Sequence, residues 1–205
     1  MAQATALHFG FVPSSERAAV FADLVSQVEA LGHLDVGFLG ASYVTRALAE
    51  GGRADLAYHI CCQRMEMPSY GYWVTTMKST ALWEGWAGPS YNHIMFGDIS
   101  AWFYQWIAGI QQEEDSAAFE KIVFRPTPVG DLTEVHGSHL SPRGKVAASW
   151  SLSAKKMKLE LEVPDGATAR LVLSARSRVV TPRPIAGADH IMLESGLHQF
   201  TLALN

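Results

Sequence analysis

Lys145-Val146-Ala147-Ala148-Ser149-Trp150-Ser151-Leu152-Ser153 puts Val146, Ala148, Trp150 and Leu152 on one face and small polar residues on the other. That period of two is the pattern of a half-buried β-strand. Lys158 to Val163 repeats it, with Leu159, Leu161 and Val163 alternating with charged residues. Further strands are expected at Ile122 to Phe124, Ala169 to Leu173, Ile191 to Leu193 and Gln199 to Leu204, divided by turns such as Pro164-Asp165-Gly166. Short strands at this spacing predict an antiparallel β-sandwich.

Upstream the period changes. From Ser14 to about Phe103 the apolar residues recur at three and four, and after Phe119 at two. The switch predicts an α+β multidomain chain, with helices over 1–117 and the sandwich over 118–205. Phe21, Leu24, Val25, Val28 and Leu31 stripe one helix, begun by Pro13-Ser14-Ser15 and stopped by Gly32. Gly40 to Ala49 and Ala54 to Met65 predict two more around Gly51-Gly52, and Ile99, Trp102, Phe103, Trp106 and Ile110 a fourth. Ala4 to Val12, apolar and without an N-cap, reads as the tail of a helix whose beginning is missing. The segment 68–93 is too long for a simple connection and is rich in Tyr, Trp, Gly and Ser, which makes it the expected seat of function.

Sixteen basic against twenty acidic residues give a net charge of −4, with no Lys/Arg run to follow a phosphate backbone, so nucleic acid is not an expected partner. The most apolar stretch, Ile99 to Ile110, is too short for a bilayer and contains Gln105. The opening Met-Ala-Gln-Ala-Thr-Ala-Leu-His lacks the features of a secretion signal, so a cytoplasmic location is expected. Cys61 and Cys62 are adjacent, a spacing that disfavours an unstrained disulfide, and are expected to be reduced packing residues. Of eight histidines only His136 and His139 are close together, which indicates a metal site weakly; no cofactor is expected.

The sharpest local feature is Trp83-Glu84-Gly85-Trp86-Ala87-Gly88, one carboxylate between two indoles. Indole faces stack on sugar rings, and a carboxylate desolvated among them is suited to taking a proton from water. The same pattern also fits two core tryptophans with a surface Glu84 between them. Asn92-His93-Ile94-Met95-Phe96-Gly97 follows, its polar pair placed to cap the next helix and to face the same loop.

The run from Trp83-Glu84-Gly85-Trp86 through Asn92-His93-Ile94-Met95-Phe96-Gly97 to Ala108-Gly109-Ile110 resembles glycoside hydrolase family 78, the α-L-rhamnosidases. His33-Leu34-Asp35-Val36-Gly37-Phe38-Leu39-Gly40, Asp55-Leu56-Ala57-Tyr58 and Tyr70-Gly71-Tyr72-Trp73 are similar to that family's successive barrel helices and the segment before its catalytic loop. Ile122-Val123-Phe124-Arg125-Pro126 and Ser141-Pro142-Arg143-Gly144-Lys145-Val146 with Trp150 resemble its terminal sandwich. The resemblance implies the closing part of an (α/α)6 barrel followed by that sandwich. It also implies an inverting reaction on terminal α-L-rhamnosyl groups, with Glu84 as general base, His93 contacting rhamnose, and Trp83, Trp86 and Asn92 around the sugar. Two departures stand out: Gly85 replaces the family's usual Arg, and the family's acid belongs to an Asp- and Glu-rich motif earlier in the barrel. Glu66, Asp98 and Glu113-Glu114-Asp115 are the candidates left, in helix-end or loop settings.

Three functions compete on this reading. The first is a rhamnosidase, truncated and impaired alone, acting on a rhamnose-containing glycan or glycoside. The second is a non-catalytic carbohydrate-binding or structural remnant, and the third a promiscuous small hydrolase of activated esters using Glu84 and His93. An incomplete barrel would expose apolar surface, so a homo-oligomer or a complementing chain is expected.

Overall fold

A computed structural model describes residues 2–87, 90–173, 177–182 and 189–204. Its contacts divide the chain into two units, Met1–Trp102 and Phe103–Asn205.

The first unit is helical: α1 (Ala2–His8), α2 (Arg17–Leu31), α3 (Phe38–Glu50), α4 (Ala54–Cys62), α5 (Tyr70–Thr75), a 3-10 turn at Ile94–Phe96 and α6 (Asp98–Trp102). Gly32 ends α2 in the left-handed conformation, φ 71°, its N–H bonded to Val28 O, as the sequence predicts for a glycine stop. The turn after α3 uses Gly51 for a different reason: the Phe21 ring of α2 lies where a Cβ would stand. Leu24, Val28, Leu34, Leu48, Ala57 and Ile60 close the core between these helices. Trp102 is fully buried and donates its indole N–H to Thr45 O at 3.1 Å.

Two expectations for this unit need correction. α4 stops at Cys62 and not at Met65, because the Gln63 side chain reaches forward to accept the N–H groups of Met65 and Glu66. The single helix expected from Ile99 to Ile110 is α6 followed by a π-helical turn, Phe103–Ala108, and then a strand. Gly109, at φ 77°, lies between that turn and the strand.

The second unit holds two sheets. β1 (Ile110–Gln112), β2 (Lys121–Phe124), β6 (Thr168–Val172) and β8 (His190–Leu193) form one in the order β1-β2-β6-β8. β3 (Glu134–Ser141), β4 (Gly144–Ser153), β5 (Lys156–Val163), β7 (Ser177–Thr181) and β9 (Gly196–Leu204) form the other in the order β3-β4-β5-β9-β7. All six strands expected from the sequence are present. The expected all-antiparallel pairing is corrected at one place: β2 and β6 run parallel, because three strands of the other sheet intervene between them in the chain. Each sheet buries one face, Val146, Ala148 and Trp150 of β4 with Leu159 and Leu161 of β5 in the larger, and Ile122, Phe124, Ala169 and Leu171 in the smaller, as a β-sandwich requires. Trp150 donates its indole N–H to Ile107 O at 2.9 Å, which satisfies the polar atom of a ring otherwise wholly in the core.

Among the described residues no helix is long and apolar enough to cross a membrane, and no three His, Cys, Asp or Glu side chains gather as a metal site. His136 and His139 both lie on β3, where a spacing of three sends them to opposite faces, one to Ser149 and the other to the Phe119 ring. Cys61 is fully buried, and burial pushes its thiol well up; Cys62 is partly exposed. Under native conditions a disulfide reagent such as DTNB is therefore expected to leave Cys61 unmodified and to titrate it only in denaturant. Rapid reaction of both thiols in the folded protein would contradict the packing of α4.

Candidate functional site

The segment that precedes Glu84 is fixed from below. Ser69, wholly buried, accepts the Tyr72 N–H at 3.3 Å and caps α5, and its hydroxyl lies 2.5 Å from Gln63 O. Gly71 lets α5 press on the end of α4: a Cβ there would overlap the Cys62 and Gln63 carbonyl oxygens. Leu34 N–H donates to Pro68 O at 3.1 Å and ties the loop after α2 to the same place.

The short α5, absent from the sequence reading, carries Tyr70 and Trp73 inward, where they build an aromatic floor. Trp73 lies 5.3 Å from Trp83, 4.6 Å from Trp86 and 5.3 Å from Phe96, centroid to centroid. The rings meet tilted or edge-on, the arrangement that aromatic quadrupoles favour. Their polar atoms are also satisfied: Trp73 donates to Trp86 O at 2.9 Å, Trp86 to Val36 O at 2.6 Å, and Tyr70 to Phe96 O at 3.2 Å. Burial, with smaller contributions from Cys61 and Asp98, pushes the Tyr70 hydroxyl far up, so it serves as a donor and not as a base.

On this floor the chain makes a closed loop. His93 N–H donates to Leu82 O at 2.7 Å and Glu84 N–H to Ser90 O at 3.0 Å, so the two sequence motifs are pinned side by side. Gly88 of the first motif lies outside the described residues. His93 caps the turn Ile94–Phe96, its Nδ1 accepting the Met95 N–H at 3.2 Å, which is the capping role anticipated for the Asn92-His93 pair. Asn92 is exposed beside it.

The side chains sort differently from the expectation of a carboxylate sandwiched by two sugar-stacking indoles. Trp83 is only 7% exposed, held by Trp73 on one side and Tyr91 edge-on at 4.8 Å on the other. Trp86 is partly buried against Phe96 at 4.3 Å. Glu84 projects outward and is exposed, so the desolvation expected for it is not provided by this unit. Tyr91, which the sequence reading passed over, is the ring at the loop surface, 60% exposed. Its only signal was its position between Ser90 and Asn92.

Of the carboxylates considered for a second catalytic group, three are held by cations. Asp98 accepts Arg46 Nη2 at 2.6 Å and Nε at 3.4 Å. Glu113 pairs with Arg170 and Asp115 with Lys121, both in the second unit. Glu66 is exposed in the turn after α4, its backbone held by Gln63.

The chain is similar to known proteins over both of its units. Residues 1–107 match the model of the bacterial alpha-L-rhamnosidase 6 hairpin glycosidase domain, and residues 109–185 that of the bacterial alpha-L-rhamnosidase C-terminal domain. An alpha-L-rhamnosidase of Streptomyces avermitilis is 30% identical over 216 residues, covering 96% of this chain and 21% of the relative. One from Alteromonas sp. (strain LOR) is 30% identical over 218 residues, covering 98% and 23%. Among solved structures, alpha-L-rhamnosidase from Dictyoglumus thermophilum superposes with a TM-score of 0.88 at 28% identity, over 99% of this chain and 25% of that one. The Streptomyces avermitilis enzyme complexed with L-rhamnose gives 0.84 at 30% identity, over 98% and 21%. The chain thus spans a quarter or less of the length of these relatives. With both halves matched in order, the chain belongs to the bacterial α-L-rhamnosidase family.

Proposed function

We propose that this chain is the closing part of a rhamnosidase-type glycoside hydrolase that acts on terminal α-L-rhamnosyl groups with inversion. The observation that carries the reading is the pinned pair of motifs, Glu84 outward on an aromatic floor and His93 bonded beside it, within the stretch that matches the glycosidase domain. α1 to α6 serve in this reading as closing hairpins of a six-hairpin barrel. Glu84 acts as general base: it takes a proton from water as the water oxygen bonds to the anomeric carbon and the glycosidic C–O bond breaks. An acid across the sugar, about 6.5–9.5 Å from the base in enzymes of this stereochemistry, protonates the departing oxygen. His93 and Asn92 hydrogen-bond the rhamnosyl hydroxyls, with Tyr91 and the rim of Trp86 as the apolar wall.

The acid comes from another chain or segment. Asp98, Glu113 and Asp115 are occupied by Arg46, Arg170 and Lys121. Exposed Phe9 and Phe11, stacked on each other at 5.8 Å with Tyr43 against Phe9, support an interface with a second copy or a complementing chain. The same engaged carboxylates favour a second reading, a carbohydrate-binding remnant in which Glu84, Asn92 and His93 hold sugar without turnover.

The experiment is release of 4-nitrophenol from 4-nitrophenyl α-L-rhamnopyranoside, with Glu84→Gln in parallel and aryl esters as controls, on protein whose oligomeric state is measured by light scattering. Turnover is expected to fall at least about 100-fold on Glu84→Gln, the scale of removing a positioned general base. Turnover unchanged by that substitution sinks the assignment. Absence of turnover with rhamnose still raising the thermal midpoint selects the second reading, and ester hydrolysis alone selects a small promiscuous hydrolase.

A further inference from the structure

A cleft lies on the outward face of the sheet β3-β4-β5-β9-β7, with a volume of about 730 Å³. That is within the usual range of small-molecule sites. Its floor is ordered by strand register. His136, Ser149, Glu160 and Gln199 stand directly opposite one another on β3, β4, β5 and β9 and make one continuous polar row across four strands. Ser151, Lys158, Thr201 and Thr181 make a second row beside it.

We infer that this face is a carbohydrate-binding site, separate from Glu84, for neutral oligosaccharides laid across the strands. Neighbouring strands are about 4.8 Å apart, so each row offers a polar side chain at a repeat comparable to one pyranose unit. The groups alternate in kind: imidazole, hydroxyl, carboxylate and amide in one row, hydroxyl and ammonium in the other. Vicinal sugar hydroxyls, each donor and acceptor at once, are the ligand that such a mixture satisfies. The groups are also held in place before any ligand arrives, with His136 Nδ1 3.1 Å from Ser149 Oγ and Gln199 Nε2 donating to Glu160 Oε2 at 2.8 Å. A carboxylate has further lone pairs beyond that bond, so Glu160 keeps acceptor capacity for a ligand.

Charge selects against the alternatives. Among the described residues lining the cleft, Glu160 and Lys158 are the formally charged ones, one of each sign, which gives no net field to gather a polyanion or a cation. The indole of Trp150 and the ring of Phe200 point into the core, so hydrogen bonds and not stacking hold the ligand. Affinity therefore grows with the number of rows and strands covered, and a trisaccharide binds more tightly than a monosaccharide.

The test is a titration of the ¹⁵N-labelled full chain with L-rhamnose, rutinose, cellotriose and maltotriose, and with trigalacturonic acid as charged counterpart, following backbone amide shifts. Saturable shifts confined to β3, β4, β5, β9 and the Thr181 end of β7, tighter for a neutral trisaccharide than for rhamnose, are expected. Glu160→Ala and Gln199→Ala, both at exposed positions and checked for an unchanged spectrum elsewhere, should each weaken binding about ten-fold. Glu84→Gln should leave these shifts unaltered, which separates this site from the proposed catalytic one. The inference is overturned by absence of saturable shifts with every neutral saccharide, by binding indifferent to both sheet substitutions, or by preference for trigalacturonic acid.

Discussion

Trp73→Ala is expected to destabilise the helical unit by about 3–5 kcal/mol, the cost of deleting a large aromatic side chain from a core. Trp73 is 2% exposed and touches Tyr70, Trp83, Trp86 and Phe96, so no neighbour can fill the space without leaving its own contacts. Its removal also strips the donor from Trp86 O, whose bond fixes the far side of the loop carrying Glu84. The effect thus falls on fold and site together: limited proteolysis should open the segment between Met77 and Tyr91, and any sugar binding or turnover at Glu84 should go with it. Trp73→Phe separates the two contributions. It keeps most of the ring contacts and loses the indole N–H, for a cost of about 1–2 kcal/mol. Urea unfolding followed by tryptophan fluorescence reads both variants. A Trp73→Ala protein with an unmoved midpoint would mean that the floor is not what holds the loop.

The same residues show how far the sequence alone could be read. Strands with one buried face, such as β4 and β5, carried a clean alternation because Val146, Ala148 and Trp150 all point into one core. β3 was missed because it is an edge strand paired only to β4, and its apolar residues are few, Leu140 among them lying 81% exposed. β7, at the other edge, was missed for the same reason. α5 is six residues long, too short for a period to show, and its aromatic content read as loop.

At the candidate site the motifs were legible and their depths were not. Trp83 and Trp86 both flank Glu84 in sequence, yet one is buried and the other half-buried, because that depends on Trp73 and Phe96 arriving from other segments. His93, whose bond partner Met95 is two residues ahead in its own chain, was read correctly as a cap. The polar rows of the large sheet could not be seen at all, since no local pattern records that His136, Ser149, Glu160 and Gln199 share one register line.

Gly109→Ala should cost the sandwich unit about 3 kcal/mol or more, from two independent sources that add. At φ 77° an L side chain meets its own backbone, worth about 1–2 kcal/mol. A Cβ would in addition overlap the backbone of Arg125 and Pro126, and overpacking of this kind costs about 1–3 kcal/mol even where side chains can yield. Backbone cannot yield as easily, because Arg125 N–H donates to Gly109 O at 2.8 Å and so fixes the two segments together. The position is buried where the π-helical turn gives way to β1, and Ile110 begins the register of β1 against Phe124 of β2. Relief of the clash therefore requires β1 to peel from β2, which exposes Ile110 and Phe124. A lowering of the unit's thermal midpoint by at least about 10 °C is expected for a domain of this size. Hydrogen exchange should show lost protection first at Ile110 to Gln112 and Ile122 to Phe124. Gly166→Ala is the control: its φ is 72° but nothing lies near its Cβ, so it carries only the conformational cost. If the two substitutions prove equally mild, the close approach at Arg125 and Pro126 is not a constraint, and the junction into β1 is looser than its geometry implies.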